Sequence, residues 1–530
     1  MPVNDGPVSN APRSLVPPAD WLHGGRSPDT AAGAGYLALV TALALALRLL
    51  RLDGMSLWVD EMFTWDLVAP GRDLRFFEQI LAAYQGPLYH AAVWPLVRLG
   101  DPGVMLRLPA ALAGAAAVPL IGALTASLWG RSSGRLAALL LAVNPFAIWY
   151  AQEGRGYAFV LLFAAAGGLV MVQAARGGMT GRRAVLLALL GFGGLGGNFS
   201  FLFLLAAFAL TVPLVARPAA PRQWLVWAAG LGGGVLLALP WLLEAAGIWE
   251  VGRVVPGAAT GEALRGASTF HPGAVPFALF ALVNGFTLGP SLADLHGGDP
   301  WAAVTAEWPA IVLGTVPVAV ALLLSLRRLD RGRWAMLLWI VVPLACVVLL
   351  AMRNIKPFNV RYVAAAQPWL LVLAAAGVGA LRGRRHAALA VVLLGVSLWS
   401  TGSYFLDDRY AKEDIRGAVA AMHERGGADL PVLAPGVGPV VRYYREDGGE
   451  VLGCWDEPTV AGREEARALV ARQLGRYDEA WVLSARAWYL DPAGHLPAAL
   501  AEAGALERVF AGPGVTLDHW RRTAAAEGTP

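Results

Sequence analysis

The chain has 530 residues, of which 57% are hydrophobic and only 15% charged, with a mean hydropathy of +0.53. That composition excludes an ordinary soluble globular domain. The net charge of +4 and the isoelectric point near 9.2 do not indicate a nucleic-acid binder. The basic residues fall in short loops between apolar runs, where membrane orientation rules put them.

Residues 1–33 are rich in Pro, Gly, Ala and Ser. They lack the basic start and short apolar core of a cleavable signal peptide, and they read as a disordered cytoplasmic tail. From 34 to 404, apolar runs near the ~20 residues needed to cross a bilayer recur, so the chain is an α-helical polytopic membrane protein. The expected spans are 34–52, 105–129, 135–151, 156–175, 184–198, 199–216, 224–243, 308–326, 334–352, 361–381 and 387–404. These make eleven transmembrane helices, and a count of thirteen would keep both chain ends on the same sides. Residues 274–292 are also apolar. As a full span they would place Arg327 to Arg333 outside, so they read as re-entrant or interfacial. The basic loops (Arg131 and Arg135; Arg176, Arg182 and Arg183; Arg217 and Arg222; Arg327 to Arg333; Arg382, Arg384 and Arg385) face the cytoplasm by the positive-inside rule. The N-terminus is then inside and the C-terminal region outside, as expected of a multi-pass protein of the plasma (inner) membrane.

The first outer loop, 53–104, holds Ser56-Leu57-Trp58-Val59-Asp60-Glu61 and an amphipathic stretch, Asp73 to Leu81, that suits an interfacial helix. From residue 405 to 530 the composition becomes that of a soluble domain. Helices at Glu413–Arg425 and Gly462–Leu474 alternate with expected strands at Val432–Ala434, Val440–Tyr444, Val451–Trp455 and Ala480–Ser484. This is a small extracytoplasmic α/β domain. Cys346 lies in an apolar helix and Cys454 in this distant domain, so no disulfide is expected and cysteine usage carries no information on redox compartment.

Four constellations carry possible chemistry. Asp60 and Glu61 are adjacent acids at a bilayer boundary, where charge is costly unless it is used. Neighbouring side chains point in different directions, so one reading makes Asp60 a general base and Glu61 an orienting acceptor. The other makes both solvated loop acids. Gln85 to His90 contains Pro87, Tyr89 and His90; a single His in such a place is more often packed than catalytic. Trp149 to Tyr157 sets Glu153 and Arg155 among belt aromatics, either lining a polar cavity or belonging to the interface. Arg353 to Tyr362 puts Arg353, Lys356 and Arg361 on the outer side, against the orientation rule, which suits an anionic ligand such as phosphate.

Taken in order, these motifs resemble the GT-C membrane glycosyltransferases. The nearest branch is the protein O-mannosyltransferase-like and aminoarabinose-transferase-like enzymes, glycosyltransferase family 39/83-like. Arg48-Leu49 followed by Leu57-Trp58-Val59-Asp60-Glu61 resembles their first-loop signature. Pro87-Leu88-Tyr89 resembles their "PPLYY" element, with Gln85-Gly86 departing from it. Leu106-Arg107-Leu108-Pro109 resembles the start of their second span, Gln152-Glu153-Gly154-Arg155-Gly156-Tyr157 their "QEaRmY" loop, and Phe358 to Tyr362 their late "RY" motif. Lys412 to Ala418 resembles their "DWRgaa" helix, with Ile415 in place of Trp.

The resemblance implies a GT-C type fold and a polyprenyl-phosphate sugar donor. The acceptor would be a hydroxyl of a lipid, glycan or protein. Asp60 and Glu61 would be catalytic, with Asp60 as the base of an inverting displacement. Lys356, Arg361 and Arg155 would bind the donor phosphate. Glu153, Tyr362, Tyr89, His90 and Arg48 are further pocket candidates. The resemblance fixes no cofactor and leaves a divalent metal open. Some relatives use a divalent metal in the acidic loop, and Asp60 and Glu153 offer oxygen donors without a full ligand set. The rival class is a multi-spanning transporter or lipid flippase. Such proteins usually place ionisable residues near the bilayer midplane, whereas here they cluster at the outer ends.

Overall fold

The computed structural model describes residues 33–71, 86–248, 270–296, 299–353, 355, 358–427, 429–453, 460 and 462–523. The expectations for residues 1–32, the Asp73–Leu81 helix, Gln85, Lys356 and Cys454 lie outside the described residues.

The protein is a multi-pass membrane protein. Seven described helices are long and apolar enough to cross a bilayer: Pro102–Trp129, Tyr157–Gly177, Pro221–Glu244, Trp308–Leu326, Arg331–Met352, Val360–Gly379 and Gly383–Leu406. A bent pair of helices has the combined length and composition of an eighth. The expected helix over 135–151 is two helices, Arg131–Ala142 and Pro145–Ala151, meeting at 51°. The cause is local: the residue before a proline disfavours the helical region. Asn144 is that residue, and its side chain accepts from the Ala147 N–H at 2.8 Å and donates to the Val283 carbonyl at 2.8 Å.

Three other expected spans are helical but shorter: Ala34–Leu49, Gly181–Gly197 and Phe201–Ala216. The last of these changes winding at Val212. Pro213 has no N–H to give, and the ladder slips by one residue, with Arg217 N–H reaching the Val212 carbonyl at 2.7 Å. The apolar stretch at 274–292 contains an 11-residue helix, Ala274–Asn284. At 1.5 Å per residue that is about 16 Å, too short to cross alone.

The bundle core is aromatic and small-residue packing. Trp339 and Trp369 meet edge to face at 4.6 Å. Gly168 lets Trp369 close in, since a methyl group there would lie 2.3 Å from the indole.

The C-terminal domain carries one five-stranded sheet in the order β2-β1-β3-β5-β4. Its strands are β1 (Val432–Leu433), β2 (Val451–Leu452), β3 (Glu479–Ala485), β4 (Gly504–Gly512) and β5 (Val515–Arg522). β1 runs parallel to β2 and β3, while β3, β5 and β4 are antiparallel. One expected strand is wrong: Val440–Tyr444 belongs to a helix, Gly438–Tyr444. Its β-branched and aromatic residues suit a strand, but Pro439 starts a helix and Val440 and Val441 are buried against Ile415, Val419 and Met422. Tertiary packing overrides local preference here.

The C-terminal domain is not a loose appendage. Leu57, Met62 and Tyr89 of the first loop share one core with Ile415, Val440 and Leu517. Arg416 holds the Asp53 carboxylate through two hydrogen bonds at 2.8 and 2.9 Å, and the Leu57 N–H donates to the Tyr444 hydroxyl at 2.7 Å. The acidic loop is therefore clamped between membrane bundle and C-terminal domain.

Candidate active site

Asp60 and Glu61 begin the Val59–Val68 helix. The first turn of a helix favours carboxylates through the helix dipole and unpaired N–H groups. Glu61 also reaches back to the Trp58 N–H at 3.3 Å, half of a capping box.

The two side chains then part. Glu61 is sealed. Arg107 grips it at both oxygens, each at 2.7 Å, and the Gly154 N–H adds a third bond at 2.7 Å. Arg107 spends its remaining N–H groups on the carbonyls of Leu52, Met55 and Ser56. Burial alone would raise the Glu61 pKa; Arg107 reverses this and holds it below the ordinary value.

Asp60 faces the other way. Its carboxylate forms an ion pair with Arg361, 301 positions further along the chain. Arg155 donates to the Asp60 main-chain carbonyl at 2.9 Å. Burial tends to raise the Asp60 pKa, but the charges of Arg361, Arg155 and Arg486 outweigh it and bring the value down to about 2. The Arg361 guanidinium also lies 5.8 Å from the Tyr157 ring and 5.5 Å from the Tyr362 ring.

Glu153 is wholly buried, and neither of its carboxylate oxygens has a hydrogen-bond partner among the described residues. The nearest cation is Lys412, with Nζ at 3.8 Å. Burial pushes the Glu153 pKa up, and Lys412 only partly opposes this. Lys412 sits 5.2 Å from the Trp58 ring and 5.3 Å from the Trp149 ring. It also lines a polar cavity of about 230 Å³ with Arg51, Ser56, Gln152, Tyr404 and Asp414.

The loop bearing Glu153 and Arg155 is held by close packing. Gln152 donates to the carbonyls of Arg48 and Leu50 and accepts from the Tyr404 hydroxyl. Gly156 and Gly86 both abut the Gly196–Gly197 backbone, where a methyl group would lie 2.1 or 2.3 Å from a carbonyl oxygen. Only glycine permits that approach.

No family model matches the chain, and no curated protein matches it. Solved structures do. ArnT from Cupriavidus metallidurans, in the apo state, is similar over 94% of this chain and 100% of its own, with a TM-score of 0.51 and 14% identity. The same enzyme bound to undecaprenyl phosphate gives the same values. Archaeal oligosaccharyltransferase AglB from Archaeoglobus fulgidus, in complex with an inhibitory peptide and a dolichol-phosphate, is similar over 94% of this chain and 74% of its own, with a TM-score of 0.49 and 12% identity.

The chain has the GT-C fold.

Within this GT-C fold the structure joins Asp60, Arg361, Arg155 and Tyr362, with Glu153 close by on the Lys412 side. Three other candidates are spent elsewhere. Arg48 is buried and donates to the carbonyls of Ala44, Leu141 and Ala142. The Tyr89 hydroxyl donates to the Leu106 carbonyl at 2.5 Å. His90 bonds the Gly86 carbonyl through Nδ1 at 2.9 Å, and burial lowers its pKa to about 4, so the ring is neutral at physiological pH. Among the described residues no group of three or more His, Cys, Asp or Glu side chains converges as a metal site. Asp60 and Glu153, the two oxygen donors considered above, are each set against a cation instead.

Sequence reasoning missed Lys412, Arg107 and Arg486 as site residues. Lys412 and Arg107 stood inside motifs already noted, but nothing in their spacing says which carboxylate each one meets.

Proposed function

We propose that this protein is a membrane glycosyltransferase. It moves a sugar from a polyprenyl-phosphate carrier to an acceptor hydroxyl at the outer face of the plasma (inner) membrane, with inversion. In this reading the N-terminus is cytoplasmic and the outer domain extracytoplasmic. The observation that carries it is the meeting of one ionised carboxylate, Asp60, with Arg361 and Arg155 at the outer end of the bundle. The fold shared with ArnT, which binds undecaprenyl phosphate, supports the donor class.

The chemistry follows from charge. The donor is a phosphodiester with one negative charge. As the acceptor oxygen attacks the anomeric carbon, the bond from that carbon to the phosphate oxygen breaks and its electron pair goes to the phosphate. The leaving group gains a second negative charge, so guanidinium groups beside it stabilise the transition state more than the ground state. Lys356 joins Arg361 and Arg155 in this role. Asp60 takes the proton from the acceptor hydroxyl.

A carboxylate with a pKa near 2 is a poor base, and the donor corrects this. When the phosphate arrives, it competes for Arg361, and its own charge disfavours a neighbouring anion. Both effects raise the proton affinity of Asp60. The base is thus armed by the substrate. Glu61 serves by holding the Val59–Val68 helix through Arg107.

The test is transfer by the full-length protein in nanodiscs, using a polyprenyl-phosphate sugar and mass analysis of the product. Asp60→Asn should lower turnover by about 10²- to 10⁴-fold with undecaprenyl phosphate still bound. Near-normal turnover in that variant would rule out the base.

A further inference from the structure

We propose that Arg486, on the outer domain, is a further phosphate-binding residue, so that the catalytic centre is completed by the soluble domain. This rests on the transferase reading above and names one more residue of that site.

Arg486 follows β3 directly and adopts φ 55°, ψ 35°, the left-handed region that a residue with a β-carbon rarely enters. Such a conformation persists where the surroundings impose it. Its effect is to aim the side chain at the acidic loop. The guanidinium carbon lies 5.0 Å from the Trp58 ring, and Trp58 is the residue just before the helix that starts with Val59 and Asp60. Lys412 lies 5.2 Å from the same ring, so two cations carried by the outer domain and its approach flank one indole.

The hydrogen bonds of Arg486 are incomplete. Nε donates to Glu413 Oε1 at 2.8 Å, and among the described residues this is its one hydrogen bond. To those residues the two terminal nitrogens make none, although the side chain is mostly covered, at 22% exposure. A guanidinium has five donors in a fixed fork, which matches phosphate oxygens in pairs. Glu61 and the Leu52, Met55 and Ser56 carbonyls together use up Arg107; Glu413 takes only the Nε of Arg486.

Charge counting gives the same direction. Arg361, Arg155 and Arg486 all act electrostatically on Asp60. Against them stand Asp60 itself and Glu413, the carboxylate bonded to Arg486, while Lys412 and Glu153 balance each other. Three guanidinium groups facing two carboxylates leave one positive charge, the complement of a phosphodiester. When the donor leaves as a phosphate monoester with two negative charges, the free fork of Arg486 is placed to take the second.

The experiment uses the full-length protein in nanodiscs, with undecaprenyl phosphate and undecaprenol as probes. The proposal expects Arg486→Ala to weaken undecaprenyl phosphate at least tenfold and undecaprenol less than twofold. Arg486→Lys should recover part of the loss for the phosphate. Equal weakening of both probes would assign Arg486 a purely structural role and overturn the proposal, as would unchanged phosphate binding. Glu413→Gln removes the same ion pair but keeps the guanidinium. It should leave phosphate binding intact or tighter, and a loss matching that of Arg486→Ala would also reject the proposal. If the wild-type protein itself fails to prefer the phosphate over the alcohol, the transferase reading fails first, and separately.

Discussion

Asp60 and Glu61 are neighbours in sequence, yet they belong to two different regions of the molecule. The Glu61–Arg107 pair is closed: the side chains are 0% and 1% exposed, and every oxygen and nitrogen of the pair is bonded. The Asp60–Arg361 pair is ajar, at 15% and 18% exposure, and Arg361 Nε is buried with no partner among the described residues. A closed pair is committed to structure. An open pair with positive charge beside it keeps its charges partly exposed. Adjacent acids therefore differ in what they can do because their partners come from different helices.

That contrast can be broken by experiment, and the largest effect expected is Asp60→Asn on turnover, with little change in melting temperature. Next is Arg107→Ala, which leaves Glu61 charged and unpaired in the protein interior. It should cost about 3–5 kcal/mol of stability, seen as a lower unfolding midpoint in detergent. Removing both charges with Glu61→Gln and Arg107→Met should cost less than Arg107→Ala alone. Additive losses would mean that the pair is not coupled.

A smaller effect is a shift in pH dependence. Arg361 is the largest of the influences lowering the Asp60 pKa to about 2. In the wild type, the acid limb of kcat/KM should lie below pH 4, because this parameter reports the free enzyme. Arg361→Gln should move the limb up towards the ordinary carboxylate range of about 4, together with a loss of donor affinity. An unmoved limb would detach Arg361 from Asp60. The same depressed pKa means that the pairing stabilises the folded protein above about pH 4, and that this contribution fades as the pH falls towards 2.

The smallest effect tests the clamp. Tyr444→Phe removes the acceptor for the Leu57 N–H and should cost about 1 kcal/mol of stability. Transfer should fall only a few-fold, since the Arg416–Asp53 pair still joins the outer domain to the loop. A loss as deep as that of Asp60→Asn would place the outer domain's grip, rather than the carboxylate, at the centre of the reaction.

Much of this protein is decided by local composition. Apolar runs of bilayer length must become helices, since no other open backbone arrangement satisfies its hydrogen bonds in lipid. Acids and cations that fall away from the basic loops stand out in the sequence, which is how Asp60, Arg155 and Arg361 could be singled out before their geometry was known. What each acid does was not decided there. Asp60 and Glu61 differ by one position, and only the packing of the Pro102–Trp129 helix gives Glu61 to Arg107, while the Val360–Ala366 turn gives Asp60 to Arg361. The bend at Asn144 was written in a local rule, the residue before proline. The helix at Gly438–Tyr444 was not, because its strand-forming residues gain more from burial against Ile415 and Val419 than from their own backbone preference. Lys412 and Arg486 were invisible for the same reason. Glu153, which Lys412 meets, and the Trp58 ring, which Arg486 meets, lie in distant parts of the chain, and pairings of that range are settled by three-dimensional closure alone.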